Sequence, residues 1–130
     1  MKRSMKIVRG RESIKEEQQV IMTEKQRREL AHIKKLINKG YKKFAERADR
    51  DYLPELLEIG ITEELAWEEV LTLTAINYVH DYKPYYSKSG RDALTFKKEI
   101  NGYIVYIKLK IEEYDNNEIV VCMSFHKDHR

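Results

Sequence analysis

Cysteine, proline and glycine are scarce in this chain of 130 residues, which contains one, two and five of them, respectively. The single cysteine, Cys122, rules out an internal disulfide framework and a cysteine-based zinc knuckle, and it favours a reducing compartment. No apolar run approaches the ~20 residues that cross a bilayer, and residues 1–10 lack the apolar centre of a signal peptide. We therefore expect a cytoplasmic protein without a membrane partner.

Charged residues and tyrosines, in contrast, are plentiful. Charged residues make up 36% of the chain and apolar residues 42%, and the nine tyrosines argue against disorder. A chain of this length buries roughly two-thirds of the surface that its unfolded form exposes, so it can hold a core without disulfides. We expect a charged N-terminal extension over residues 1–22 and a single domain over residues 23–130.

The net charge of +3 conceals an asymmetry along the chain. Residues 1–50 carry 16 Lys and Arg against 7 Asp and Glu, whereas residues 51–75 carry 7 acids and no base. The basic part is either a surface for a polyanion or one solvated helix face. The acidic stretch argues against a surface that binds phosphate uniformly.

The first half of the chain has helical periodicity. Thr23 and Gln26 have the spacing of a capping box, and Gly40 supplies a stop, so we expect a helix over residues 24–39. A second helical pattern runs over residues 44–59, with a break near residues 51–53. Thr62 is the expected cap of a third helix. The apolar side of that third helix uses Leu65, Ala66, Val70, Leu71 and Leu73.

The second half alternates with period 2. Residues 93–100 and 103–112 flank an Asn101–Gly102 turn, which predicts a tight hairpin, and residues 118–126 predict a third strand after a turn at 114–117. Helices followed by antiparallel strands indicate an α+β fold, with the N-terminal helices packed on one face of a three-stranded antiparallel sheet.

The two-residue turn fixes which residues face each other across the hairpin. Lys97 is then opposite Tyr106, and Thr95 is opposite Lys108. The buried face of the hairpin would contain Leu94, Phe96, Val105, Ile107, Leu109 and Ile111. In the third strand, alternation places Ile119, Val121, Met123 and Phe125 on the core side, and Val120, Cys122, Ser124 and His126 on the other.

If like faces stay together, Tyr106, Lys108, Lys97, Thr95, Ser124 and His126 share one surface, which His80 and the loop 82–91 would border. Such a surface suits RNA cleavage by the RNA's own 2′-hydroxyl, a reaction that needs a base and cations but neither a metal nor a covalent nucleophile. Histidine titrates in the useful range, and lysines neutralise phosphate charge. The same residues are also ordinary on a solvated sheet face.

Four segments, in order, carry a resemblance to a known family. They are HIKKLINKG (32–40), the stretch from Leu53 through LLEIGITEELAWEEVLTLTAINYV, VYIKLKI (105–111) and VVCMSFHKD (120–128). Together they resemble the MqsR family of bacterial toxin mRNA interferases over roughly residues 30–127. The resemblance implies a RelE-like fold and a metal-independent endoribonuclease that acts on single-stranded mRNA, without a cofactor and without binding DNA itself. It also implies inhibition by a cognate antitoxin.

The resemblance also implies site residues. The active-site tyrosine of the family falls on Tyr106, and its late-strand lysine falls on His126, which can serve as a general acid or base. A further family lysine falls near His80, which would assist catalysis.

The remaining site residues follow from chemistry. We expect Lys97, Lys108 and Lys127 to contact RNA phosphates. Tyr85 and Tyr86 either stack on bases or close a loop over the core. The four scattered histidines and the single cysteine predict no metal site.

Two departures from the family leave other functions open. The family glutamine upstream of the hairpin has no clean counterpart, and a histidine replaces the late-strand lysine. One alternative is a non-catalytic protein-binding module that uses the basic N-terminal helix or the acidic 51–75 face. A second alternative is a protein that binds RNA without cutting it.

Overall fold

A computed structural model describes residues 21–46, 52–80 and 92–128. Three helices, one 3₁₀ turn and five strands occupy these ranges. In chain order they are α1 (Glu24–Asn38), β1 (Lys42–Phe44), α2 (Tyr52–Ile59), α3 (Glu63–Leu71), the 3₁₀ turn (Ala75–Asn77), β2 (Tyr78–Val79), β3 (Leu94–Ile100), β4 (Tyr103–Tyr114) and β5 (Asn117–Lys127). The fold is α+β, as the sequence predicts.

The sheet is larger than predicted. Its strands lie in the order β1-β5-β4-β3-β2, and β1 is parallel to β5 while the other pairs are antiparallel. The prediction of a three-stranded antiparallel sheet is therefore wrong, because two short edge strands extend it. Phe44 and Ala45 continued a helical spacing, yet β1 forms through parallel pairing with residues about eighty positions away, which local periodicity cannot reveal.

Helix α1 begins at the predicted cap. The Thr23 hydroxyl accepts from the Gln26 amide at 3.1 Å, and the Thr23 amide donates to the Gln26 side chain at 2.9 Å, which completes the capping box. Gly40 follows the helix with φ of 89°, the left-handed conformation that favours glycine. The helix buries Leu30, Ile33, Leu36 and Ile37.

The β3–β4 hairpin has the predicted register. Ile100 is opposite Tyr103 across a turn in which Asn101 and Gly102 both have positive φ, and Lys97 is opposite Tyr106. The Asn101 side chain donates to the Ile59 carbonyl at 3.0 Å. This bond ties the turn of the hairpin to the end of α2.

The pairing of β4 with β5 contains a β-bulge. Ser124 is opposite Lys108, but Cys122 is opposite Leu109, so Met123 has no partner on β4. Between the turn and Met123, the side chains of β5 therefore point to the opposite faces from those that strict alternation from Phe125 predicts. Strand β5 therefore places Val120 and Cys122 in the core with Phe125, and the predicted core positions of Ile119, Val121 and Met123 are wrong.

All three helices contribute to one core on one face of the sheet, here called the helix face. The core combines Leu56, Ile59, Trp67, Val70 and Leu73 with strand residues such as Phe96, Val105, Ile107 and Leu109.

One further burial prediction is wrong: Leu65 of α3 is exposed and does not belong to the apolar side of that helix. Met22 is buried in the core, and residues 1–20 of the predicted extension lie outside the described ranges. No helix within the described ranges is long and apolar enough to cross a membrane.

Candidate functional site

The sheet face opposite the helices is here called the Tyr106 face. Cross-strand partners place on it Val79, Thr95, Lys97, Tyr106, Lys108, Lys110, Val121, Ser124 and His126. Three of its residues are as buried as the core: Thr95 is 2% exposed, Val121 is 3% and Lys110 is 9%. The Tyr106 face is therefore no ordinary solvated sheet face, and its polar groups lie in surroundings that strengthen electrostatic interactions.

Tyr106 and His126 form the centre of this face. Tyr106 lies on β4, the middle strand of the five, and is the direct cross-strand partner of His126. Their rings are stacked, with centroids 5.1 Å apart and planes inclined by 18°. The prediction that these two side chains share one face is confirmed, and both are half-buried.

A backbone hydrogen bond fixes the tautomer of His126. The Nδ1 atom lies 2.8 Å from the Lys127 carbonyl oxygen, which can only accept, so Nδ1 carries the hydrogen. The neutral ring then has its lone pair on Nε2. A histidine with one nitrogen held in this way is suited to take a proton at the other.

The first cation beside the Tyr106–His126 pair is Lys97, which lies on β3 and is the cross-strand partner of Tyr106 on that strand. Its Nζ lies 2.8 Å from the Asp128 carboxylate, and both side chains are at least three-quarters buried. The Asp128 amide donates to the Ile104 carbonyl at 2.8 Å, which fixes Asp128 beside β4. The sequence argument missed Asp128, because it lies just beyond the last predicted strand.

A second group of charges lies further along β4. Lys108 is flanked by Thr95 and Ser124, its partners on the two neighbouring strands. Lys110 forms an ion pair with Glu112, which also accepts from the Tyr114 hydroxyl. Burial raises the pKa of Glu112, but the hydrogen bonds from Lys110 and Tyr114 outweigh burial, so the net pKa lies below the usual range of a glutamate.

Lys127 does not lie on the Tyr106 face. It is opposite Val105, a core residue, and its Nζ forms a 2.6 Å ion pair with Glu58 of α2. Its backbone amide donates to Glu55 at 3.0 Å, and the hydrogen bond that its side-chain amine donates to Glu58 raises the pKa of that amine. The structure thus anchors Lys127 to α2 instead of beside Tyr106, where the predicted phosphate contact would require it.

His80 and the loop tyrosines do not join the pair either. His80 is exposed and follows β2, three strands from His126, which is roughly 14 Å across the sheet at ~4.8 Å per strand. Tyr85 and Tyr86 lie outside the described residues. Their predicted roles stay predictions.

The other potential ligands are engaged in packing or pairing. Cys122 is buried on the helix face, where burial strongly raises the pKa of its thiol, and its Sγ donates to the Ser124 carbonyl at 3.2 Å. His32 lies 2.7 Å from Glu118, a partner that the sequence did not reveal. Within the described ranges, no three His, Cys, Asp or Glu side chains are grouped to hold a metal ion.

Comparison with known proteins gives no match: no protein-family model, no curated protein and no solved structure is significantly similar to this chain. The Tyr106 face offers a histidine whose Nδ1 is held by a backbone carbonyl and a phenol stacked against that ring. It also offers two lysines: Lys97 opposite Tyr106, and Lys108 two residues further along β4.

Proposed function

We propose that this protein is the toxin of a type II toxin–antitoxin pair, a RelE-like endoribonuclease that cuts single-stranded mRNA without a metal ion. The stacked Tyr106–His126 pair is the observation that carries the proposal. It brings a histidine whose Nδ1 is held by a backbone carbonyl next to a phenol and lysines on one partly buried face. The resemblance to MqsR-family toxins supports the same reading of the residues.

His126 acts as the general base in this proposal. Its Nε2 takes the proton from the 2′-hydroxyl, and the resulting alkoxide attacks the adjacent phosphorus. The Nδ1–H bond to the Lys127 carbonyl holds the ring in place during the transfer. The imidazolium that forms is stabilised by the face of the Tyr106 ring, as cations over aromatic faces are.

Tyr106 and the lysines stabilise the phosphate. The Tyr106 hydroxyl donates to a non-bridging oxygen, while Lys97 and Lys108 neutralise the charge that develops on the phosphorane. Solvent supplies the proton for the departing 5′ oxygen. The products are a 2′,3′-cyclic phosphate and a free 5′-hydroxyl.

Cleavage in the presence of a chelator tests the activity. Folded protein free of any bound inhibitor should cut a single-stranded RNA in EDTA, and Tyr106→Phe should cut it about tenfold or more slowly, because it keeps the stacked ring and loses the hydroxyl. Expression of the wild type should arrest growth of a bacterial host, and Tyr106→Phe should relieve the arrest. Intact RNA and unaffected growth with the wild type would contradict the proposal.

One observation favours the alternative of a non-catalytic protein-binding module. Lys97 and Lys110 are each paired with a carboxylate of the same face, which reduces the positive charge that RNA would meet. A protein-binding module would leave RNA intact and would bind RNA weakly at physiological salt. The cleavage experiment therefore separates the two functions directly.

A further inference from the structure

A groove opens on the other side of the molecule from the Tyr106–His126 pair, between the end of α1, the edge strand β1 and helix α3. Its floor is aromatic: Phe44 stacks on Tyr52 with centroids 4.2 Å apart and meets Trp67 at 4.9 Å. Its lining carries four carboxylates, Glu46, Glu63, Glu64 and Glu68, and two lysines, Lys42 and Lys43. Lys42 Nζ lies 6.0 Å from the centre of the Trp67 ring and Lys43 Nζ lies 5.0 Å from that of Tyr114, so the carboxylates outnumber the cations and form an acidic rim.

The acidic rim is largely uncompensated. The Glu63 carboxylate accepts from the Tyr52 hydroxyl at 2.7 Å, but Glu46, Glu64 and Glu68 form no ion pair with any described residue. All three are exposed. The groove thus combines an apolar, aromatic floor with an excess of carboxylates, three of which form no ion pair with a described residue. This combination suits the long aliphatic stems and charged heads of arginine and lysine.

The strand that borders the groove is an edge strand. Among the described strands, β1 pairs only with β5. The hydrogen bonds from Val120 N to Tyr41 O and from Ala45 N to Cys122 O show which backbone groups of β1 face β5. In this parallel pattern the N–H and C=O groups of Lys42 and Phe44 point away from β5. Within the part of the chain that the structure describes, these four backbone groups have no hydrogen-bond partner.

We propose that this groove binds an extended, basic segment of a partner protein, which adds to β1 as a sixth strand. The backbone of the segment would bond to Lys42 and Phe44, and alternate arginine or lysine side chains would reach the rim carboxylates. Addition of a strand to a sheet edge supplies affinity through the main chain and specificity through alternate side chains. The surface is separate from the Tyr106 face, so the inference does not depend on ribonuclease activity.

Three labelled decapeptides test the proposal on the full chain by fluorescence anisotropy. The first alternates arginine with valine, the second replaces every arginine by glutamate, and the third carries N-methyl groups on alternate residues of the first. The arginine peptide should bind, the glutamate peptide should not, and N-methylation should weaken binding about tenfold or more because it removes the backbone bonds.

A matched pair of charge reversals locates the surface. The double variant Glu64→Lys, Glu68→Lys should weaken binding of the arginine peptide about tenfold. Glu113→Lys, an exposed position on β4 outside the groove, should leave it unchanged.

Three results would overturn the proposal: no binding of the arginine peptide, equal binding of the N-methylated one, or equal weakening by Glu113→Lys. The peptide comparison uses the wild type alone, so the proposal remains testable even if the double variant does not fold.

Discussion

Tyr106 of β4 and His126 of β5 are cross-strand partners on one face of the sheet, because Met123 adds one residue to β5 without a partner on β4. The turn pairs Tyr114 with Asn117, and an uninterrupted ladder from that turn would place Phe125 opposite Tyr106. The bulge shifts the register by one residue. It therefore sends Phe125 into the core and His126 to the Tyr106 face.

Deletion of both Met123 and Ser124 tests this relationship. The shortened strand would place Phe125 opposite Lys108 on the Tyr106 face and His126 opposite Ile107 toward the core. We therefore expect a loss of about 3 kcal/mol or more of unfolding free energy, the cost of removing a buried phenylalanine. RNA cleavage should be abolished. Urea denaturation and a cleavage assay measure the two effects.

Deletion of Met123 alone is the matched control, because it removes the unpaired residue and keeps Ser124 opposite Lys108 and His126 opposite Tyr106. It should retain the cleavage activity of the wild type with only a small change in stability, because Met123 is half-exposed. Unchanged stability and activity after the double deletion would show that the register of β5 does not position His126.

The general base is tested by His126→Gln. Loss of a general base typically lowers the rate by about 10²-fold or more, and the variant should fold normally because His126 is half-buried and lies near the end of β5. Single-turnover cleavage of a defined RNA gives the rate. His32→Gln is the control: it removes a histidine paired with Glu118 and should leave the rate unchanged. Equal rates for the wild type and His126→Gln would remove His126 from the chemistry.

Much of the hairpin could be predicted from the sequence because its determinants are local. The Asn101–Gly102 turn fixes the register of β3 and β4, and the Thr23–Gln26 pair fixes the start of α1. These features need no knowledge of the rest of the chain. The prediction that Lys97 lies opposite Tyr106 succeeded for this reason.

The bulge could also have been found from the sequence. The two-residue Asp115–Asn116 turn sets a register for β5 in which Phe125 would point away from the core. Packing of Phe125 in the core opposite Ile107 requires a register shifted by one residue. An extra, unpaired residue in β5 reconciles the two registers. Strands β1 and β2 carried no such signal. They have three and two residues, and they form through pairing with distant segments.

The Lys97–Asp128 ion pair predicts that RNA competes with a carboxylate for Lys97. Asp128→Asn removes that competition, so the variant should bind RNA several-fold more tightly, and the slope of log affinity against log salt should steepen by about 0.7, the value for one more contact to single-stranded nucleic acid. Filter binding at several salt concentrations measures both.

Lys98 provides the control for the neighbouring cation. It points to the helix face, where its Nζ lies 2.6 Å from Glu69, so Lys98→Met should not change RNA affinity. Lys97→Met should weaken it. An unchanged salt slope in Asp128→Asn would show that phosphate does not contact Lys97.

The lowered pKa of Glu112 predicts that the stability of the fold decreases at acid pH. The pKa of Glu112 is lower in the folded chain than in the unfolded chain. Its contribution to the free energy of unfolding is therefore fully present when the pH is above the unfolded pKa of about 4.3, and it is lost as the pH falls through the folded pKa. Glu112→Gln should therefore be less stable than the wild type at pH 7, by about 1 kcal/mol or less, with the difference shrinking as the pH falls below about 4.3. Glu113→Gln, a change at the exposed neighbouring position, is measured beside it as the control variant. A difference in unfolding free energy between the wild type and Glu112→Gln that stays constant down to pH 3 would contradict the lowered pKa of Glu112.

The most direct test of the account uses an RNA with one 2′-deoxy nucleotide. Cleavage sites are first mapped on the all-ribose RNA in EDTA, and the nucleotide on the 5′ side of the strongest site is then replaced by its 2′-deoxy form. The account predicts a 2′,3′-cyclic phosphate on the ribose substrate and no cut at the substituted position. Cleavage at the deoxy position, or no cleavage of either RNA, would contradict it.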